Sequence, residues 1–233
     1  SVIFDIQRKL KNVPGAGDLQ RSLLQTALAR LQEVSDTFAS RSEIDLNTIV
    51  ALNDLGDVFL RIGSADSSRP GNPGRGAGDE GPLTAARKVY QQALDIAQKL
   101  HATNQNNAQV NRELSVSYTN LGDVNLQAGQ LTEALGLYEK SLEIRQRLAD
   151  ADPTDAHAQR GLWVSYNKLG DVNLQAGLVT EAIGNYQRGL EIRQKLAAAD
   201  PMDAQAQRDL SISYEKFGDV SLQGGQVTEA LGN

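Results

Sequence analysis

Apolar residues recur along this chain three or four positions apart, and nowhere in strict alternation. Leu114, Tyr118, Leu121 and Val124 line one helical face, with polar residues between them. The pattern halts at Gln127-Ala128-Gly129, where glycine suits the left-handed residue that closes a helix. It resumes at Leu131-Thr132-Glu133-Ala134 and runs through Leu137, Tyr138, Ser141, Leu142, Ile144 and Leu148. It ends near Ala151-Asp152-Pro153, where proline blocks continuation. The spacing therefore predicts two helices joined by a tight turn. Glu143 and Arg147, like Glu191 and Lys195, stand four apart with the acid first, the favourable order on an exposed helix face. No segment reads as a strand.

The same pattern returns down the chain. Leu114-Ser115-Val116-Ser117-Tyr118-Thr119-Asn120-Leu121-Gly122-Asp123-Val124 recurs as Leu162 to Val172 and again as Leu210 to Val220. Gly122, Gly170 and Gly218 mark a period of 48 residues without a gap. An earlier, degenerate copy is Leu52-Asn53-Asp54-Leu55-Gly56-Asp57-Val58; the distance from Gly56 to Gly122 is 66, so 18 residues have been added. The excess falls at about 64–81, the one stretch dense in Gly, Pro and Ser, whose composition buries little apolar surface.

These signals divide the chain into an N-terminal capping helix and turn (1–16), an incomplete leading repeat helix (17–45), and repeat 1 with its loop insertion (46–113). Repeat 2 (114–161), repeat 3 (162–209) and a truncated repeat 4 (210–233) follow. The last unit is expected to stop at Leu231-Gly232-Asn233, a few residues into a second helix. That mid-unit stop and the missing initiator Met imply a processed or excised piece of a longer protein.

Composition narrows the function classes. The net charge of −6 argues against broad nucleic-acid binding, which needs clustered Lys and Arg. No cysteine is present, which removes disulfides, thiolate metal sites and cysteine nucleophiles and fits a reducing, cytoplasmic setting. No apolar run approaches the ~18 residues of a membrane span.

The order of aromatic, Leu-Gly, Gly, Ala, aromatic and small residue carries a specific resemblance. In repeat 3 these are Tyr166, Leu169-Gly170, Gly177, Ala182, Tyr186 and Gly189; in repeat 2, Tyr118, Leu121-Gly122, Gly129, Ala134, Tyr138 and Ser141. The pattern resembles the tetratricopeptide (TPR) repeat, although the family unit is usually about 34 residues. It is similar to the long-helix variants of kinesin light chains, and closer still to the 48-residue arrays of multidomain bacterial signalling proteins. The resemblance implies an all-α, right-handed superhelical solenoid of antiparallel helix pairs. Small residues would let the helices of a hairpin approach, while the Tyr rings fill the space between units.

Catalytic chemistry is not expected. His101 and His157 are the only histidines and read as exposed polar residues near helix ends. Gly71-Asn72-Pro73-Gly74-Arg75-Gly76-Ala77-Gly78 follows no strand and lacks the Lys-Ser/Thr of a phosphate loop. No metal or cofactor is implied.

Binding is expected instead. In the family, first helices line a concave groove, and the residue after Leu-Gly faces it. The resemblance thus implies a row of carboxylates, Asp57, Asp123, Asp171 and Asp219. A second row four residues earlier is Asn53, Thr119, Asn167 and Glu215, and a third one turn later is Arg61, Gln127, Gln175 and Gln223. TPR proteins that clamp a C-terminal carboxylate use Lys, Arg and Asn in the first two rows, so that use is not expected here. An acidic row favours a basic or amide-rich peptide. The alternative is that each Asp pairs with a neighbouring unit's Lys168, Lys216 or the row Arg112, Arg160, Arg208.

The sequence reading is a scaffold that binds a peptide or partner domain, without nucleic acid or membrane. The alternatives are self-association through an uncapped end around Leu210, Ile212, Phe217, Val227 and Leu231, and a ligand-sensing regulatory domain.

Overall fold

A computed structural model describes residues 42–67 and 81–231 together with Thr26, and side chains over 46–61 and 81–225. The expected N-terminal cap and most of the leading helix lie outside the described residues, as does most of the inserted stretch. Seven long helices fill the described part: α1 (Ser42–Ser67), α2 (Pro82–Thr103), α3 (Ala108–Gln127), α4 (Leu131–Ala151), α5 (Ala156–Gln175), α6 (Val179–Ala199) and α7 (Ala204–Leu231). No strand occurs among the described residues. The protein is all-α and built of helix pairs. Two compact units meet at Asn120 and Leu121, inside α3.

Capping chemistry sets where each first helix begins. Asn107 accepts from the backbone N–H of Gln109 at 2.9 Å and Val110 at 3.2 Å. Asp155 accepts from His157 at 2.8 Å, and Asp203 from Gln205 at 2.9 Å and Ala206 at 3.1 Å. These three cap residues are themselves 48 apart, and each satisfies amide groups that a helix start leaves without partners. The helices accordingly begin ahead of Leu114, Leu162 and Leu210, where the sequence motif starts.

The turn inside each pair is equally well determined. Gly129 and Gly177 have φ of 75° and 76°, the left-handed region that glycine enters without steric cost. Around the first, Gln130 N–H donates to Asn125 C=O at 2.8 Å and Gly129 N–H to Leu126 C=O at 3.0 Å. Leu178 to Asn173 and Gly177 to Leu174 repeat the same two bonds at 2.8 and 3.1 Å. Together they satisfy carbonyls that the helix end would otherwise leave open.

In the first unit, Ile49, Leu52, Leu55, Val58 and Phe59 of α1 are buried, as are Ala86, Val89, Tyr90, Ala93 and Leu94 of α2. In the second, Ala134, Tyr138, Leu169 and Val172 form one core, joined by Leu126, Leu131 and Leu142. Ala149, Ala158, Leu162 and Ile192 form the next, and Ala182, Tyr186 and Val220 a third.

The tyrosines are divided between two jobs. Tyr138 and Tyr186 fill space between pairs, as the sequence led one to expect, packing against Leu169 and Val172 of α5 and against Val220 and Phe217 of α7; each ring, like that of Tyr90, also presses on the helical glycine of its own pair. A Cβ on Gly122 would lie 2.5 Å from the Tyr138 ring, and one on Gly170 2.7 Å from Tyr186; Gly56 meets Tyr90 in the same way. Tyr118, Tyr166 and Tyr214 instead reach back to the preceding pair, where they bond Gln98, Gln146 and Gln194 at 2.9, 3.3 and 2.8 Å.

The last helix departs from the repeat. The sequence motif places a second helix after Gln223-Gly224-Gly225, but α7 runs unbroken from Ala204 to Leu231. Turns at Gly129 and Gly177 are followed, 16 positions beyond Gly122 and Gly170, by the tyrosine that pins the returning helix.

Candidate partner-binding face

The aspartate that follows each Leu-Gly or Phe-Gly pair sits on the first helix, one residue past the glycine that seats a tyrosine. This adjacency fixes its partners. Tyr90 Oη donates to Asp57 Oδ1 at 2.5 Å, Tyr138 to Asp123 at 2.6 Å and Tyr186 to Asp171 at 2.6 Å. A hydrogen bond to a charged acceptor stabilises by about 1.5–3 kcal/mol. The ring fills the notch over glycine and its hydroxyl is delivered to the carboxylate beside it.

A lysine from the following first helix completes the group. Lys168 Nζ lies 2.7 Å from both carboxylate oxygens of Asp123, and Lys216 Nζ lies 3.1 Å from Asp171 Oδ1. Lys216 also stands 5.6 Å above the Tyr186 ring. Of the two arrangements open at the sequence level, Asp123 and Asp171 adopt pairing with Lys168 and Lys216. Both pairs remain partly exposed, so each adds only about 0.2–1 kcal/mol. Their electrostatic consequence is larger: the two inner carboxylates are neutralised. Asp219 forms no hydrogen bond or ion pair with a described residue and is exposed, and so is Glu215 one turn earlier.

The remaining residues of the three rows separate by exposure. Asn53 and Thr119 are buried at 6% each, with Asn53 Nδ2 3.4 Å from Ser117 Oγ and Thr119 Oγ1 donating to Ser115 C=O at 2.9 Å. They lie within helix packing rather than on an open surface. Asn167 is half-buried, its amide donating to Trp163 C=O at 3.0 Å. Arg61, Gln127, Gln175 and Gln223 are exposed. Asp54, beside Asp57, is held above the usual carboxylate range, first by burial and then by the Asp57 charge.

Burial pushes the Tyr138 and Tyr186 hydroxyls well above the ordinary phenol value, and the neighbouring aspartate charge adds to this. The sign of the pH dependence follows. A folded pKa above the unfolded value of about 10 means stability is intact below pH ~10 and falls as pH rises past it. The limiting slope is about 1.4 kcal/mol per pH unit for each tyrosine. Urea midpoints measured from pH 9 to 11 should fall steeply, and Tyr138→Phe should flatten the fall although it lowers stability at pH 8.

Two buried arginines escaped the sequence reading. Arg145 is 8% and Arg193 5% exposed. Arg193 bonds Asp209 at 2.9 Å and lies 3.6 Å over the Trp163 ring. Arg145 donates to Gly161 C=O at 3.1 Å and Ser165 Oγ at 3.3 Å, and burial lowers it to about 10. Their 48-residue spacing was the available signal. Trp163 is accommodated because Gly189 stands opposite: a Cβ there would lie 3.3 Å from the indole and 3.0 Å from Asn167. The preceding repeat has Ser115 and Ser141 at these places.

No group of His, Asp and Glu suited to a metal occurs among the described residues. None of the described helices is long and apolar enough to cross a membrane.

Repeated helix pairs with a polar ladder along their first helices define the class of helical-repeat folds. The model of the tetratricopeptide repeat matches residues 77–147. Among solved structures, BtubC (BKLC) from P. vanneervenii superimposes with a TM-score of 0.60 at 23% identity, over 98% of this chain and 72% of that one. The yeast histone chaperone Hif1, described as a scaffold protein recruiting protein complexes to core histones, gives 0.55 at 16% identity, over 94% and 95%. At these identities the likeness is one of fold. No curated protein matches the sequence significantly.

Proposed function

We propose that the chain is a protein-interaction scaffold whose first-helix face takes a segment of a partner protein. Tetratricopeptide repeats are interaction modules, and the match over residues 77–147 supports that role. The observation that carries the finer reading is the ladder itself. Tyr–Asp–Lys groups recur at 48-residue spacing, with exposed Gln127, Gln175 and Gln223 one turn further on. Such a ladder offers regularly spaced amide and charged groups to an extended main chain or a helix.

The selectivity lies at one end. Asp123 and Asp171 are matched by lysines, so the uncompensated acid is Glu215 and Asp219, and a partner segment rich in Lys, Arg or amide side chains suits it. A cytoplasmic setting accords with the absence of cysteine. The test is the double variant Glu215→Gln/Asp219→Asn, which keeps shape and removes charge. Retention of a Lys/Arg-rich peptide library should fall about tenfold, equivalent to ~1.4 kcal/mol, with circular dichroism unchanged. Equal retention by both proteins at low salt would sink the acidic-face reading.

A further inference from the structure

On the reading of the chain as a protein-interaction scaffold, we infer that Asp57 of α1 and Asn120 of α3 frame a seat for the ammonium group of a partner protein's lysine. The chain's own pairing rule breaks at this point. Asp123 on α3 meets Lys168 on α5, and Asp171 on α5 meets Lys216 on α7. Each lysine stands two residues before the glycine of its own helix, Gly170 or Gly218, and reaches the carboxylate that follows the preceding glycine. Counted in the same way, the residue due to meet Asp57 is number 120, two before Gly122, and it is asparagine. A short neutral carboxamide thus stands where an ammonium stands twice elsewhere. The position lies in mid-chain, and Asp57, Tyr90 and Asn120 all belong to the first unit.

The side chains around this position have acceptors to spare. Asp57 is half-buried and accepts the Tyr90 hydroxyl on Oδ1 at 2.5 Å, with no ion pair to a described residue. Asp123 and Asp171, by contrast, each accept from a tyrosine and a lysine together. Asn53, one turn before Asp57, shows that α1 faces α3 here: its Nδ2 lies 3.4 Å from Ser117 Oγ, three residues before Asn120. Asn53 is 6% exposed, and its Oδ1 is buried with no donor among the described residues. A buried acceptor left without a donor costs about 1–3 kcal/mol, so the α1–α3 junction favours an incoming N–H group. Asn120 is half-buried and bonds no described residue, which leaves its carboxamide oxygen available to the same group.

Charge selects the occupant. Asp54 lies three residues before Asp57 on the same side of α1, at the repeat position that Lys168 and Lys216 hold in later helices. Two carboxylates therefore share a face of α1, where α5 and α7 carry one charge of each sign. Burial first, and then the Asp57 charge, hold Asp54 above the usual carboxylate range, and Arg61 opposes this only weakly. An ammonium at Asp57 relieves that repulsion; an acidic or purely apolar side chain does not. The two filled copies set the contact expected of it, an N–H donated to the carboxylate at 2.7 Å by Lys168 and 3.1 Å by Lys216.

The experiment measures binding of fluorescently labelled octalysine to the 233-residue chain carrying Glu215→Gln/Asp219→Asn, at low salt. That background removes the acidic end, so the Asp57 seat is read apart from it. Saturable binding is expected below about 1 mM. Asn120→Lys should weaken it about fivefold and raise the urea midpoint, because the introduced ammonium reaches Asp57 from within the chain. Asn106→Lys makes the same charge change in the exposed α2–α3 connection and should alter binding by less than about twofold. Asp57→Asn is the second seat variant, with a loss of about fivefold. Octalysine trimethylated on every side chain keeps its charge but has no ammonium N–H, and should bind about fivefold more weakly. Absence of saturation in this background overturns the seat, while retention by the unsubstituted chain still tests the acidic end separately. Equal effects of Asn120→Lys and Asn106→Lys, or equal binding of the trimethylated peptide, would also overturn it.

Discussion

Gly122→Val should cost about 3 kcal/mol of stability, while Gly218→Val should change it by less than about 0.5 kcal/mol. The two glycines occupy the same motif position, and a rule based on the motif alone would treat them alike. A Cβ at Gly122 would lie 2.5 Å from one Tyr138 ring carbon and 2.8 Å from another. Tyr138 cannot yield: it has no exposed surface, belongs to a packed core, and is tied by its hydroxyl to Asp123. Over-packing of such a site costs about 1–3 kcal/mol and sometimes more. Breaking the phenol–carboxylate bond adds to that. Helix propensity works in the opposite direction, since valine is better than glycine by a few tenths of a kcal/mol. At Gly218 that small gain is the only effect. Urea denaturation of the two variants reads the difference directly, and Gly122→Val/Tyr138→Leu should recover part of the loss by emptying the notch. Equal destabilisation by both substitutions would mean that glycine serves backbone geometry rather than the tyrosine seat.

Much of the architecture was legible because the repeat prints each decision three times. The Gly129 turn, the stop at Pro153 and the 48-residue period all rest on local rules about glycine, proline and apolar spacing, and local rules survive the move to three dimensions. The capping residues Asn107, Asp155 and Asp203 are equally local, each seven residues ahead of the motif that begins at Leu114, Leu162 and Leu210. What sequence could not settle was the direction of long side chains. The Asp row was visible, but whether Asp123 faced a ligand or Lys168 depended on a contact across 45 positions. Asn53 and Thr119 looked like surface polar residues by periodicity; their burial depends on which neighbours close over them. The inserted stretch and the N-terminal region lie outside the described residues. The unbroken course of α7 through Gly224-Gly225 shows the limit from the other side. Glycine permits a turn there and does not compel one: α7 continues to Leu231.

Asp209→Ala carries the second large effect, a loss of about 2–3 kcal/mol, and its cause is the arginine it leaves behind. Arg193 is buried beneath Trp163, and burial already holds its guanidinium below the usual value, with Asp209 acting in the opposite direction. Removing one member of a buried pair strands the other, typically at a cost of 3–5 kcal/mol. The Asp209 carboxylate is about one-fifth exposed, so water can partly replace it and the lower part of the range applies. Arg193→Met, by contrast, should cost less than about 1 kcal/mol: the thioether can lie on the indole, and Asp209 keeps its bond from Gln205 at 2.7 Å. The double variant Asp209→Ala/Arg193→Met should then be more stable than Asp209→Ala alone, a coupling that a urea double-mutant cycle measures. The chain contains a natural version of the comparison. Arg145 precedes Arg193 by one period, and Gly161 precedes Asp209 by the same 48 residues. There the guanidinium uses the Gly161 carbonyl and the Ser165 hydroxyl. If Asp209→Ala proves nearly neutral, the backbone carbonyl and Ser213 have taken over in the same way, and the carboxylate is a selectable addition to a site that already holds an arginine.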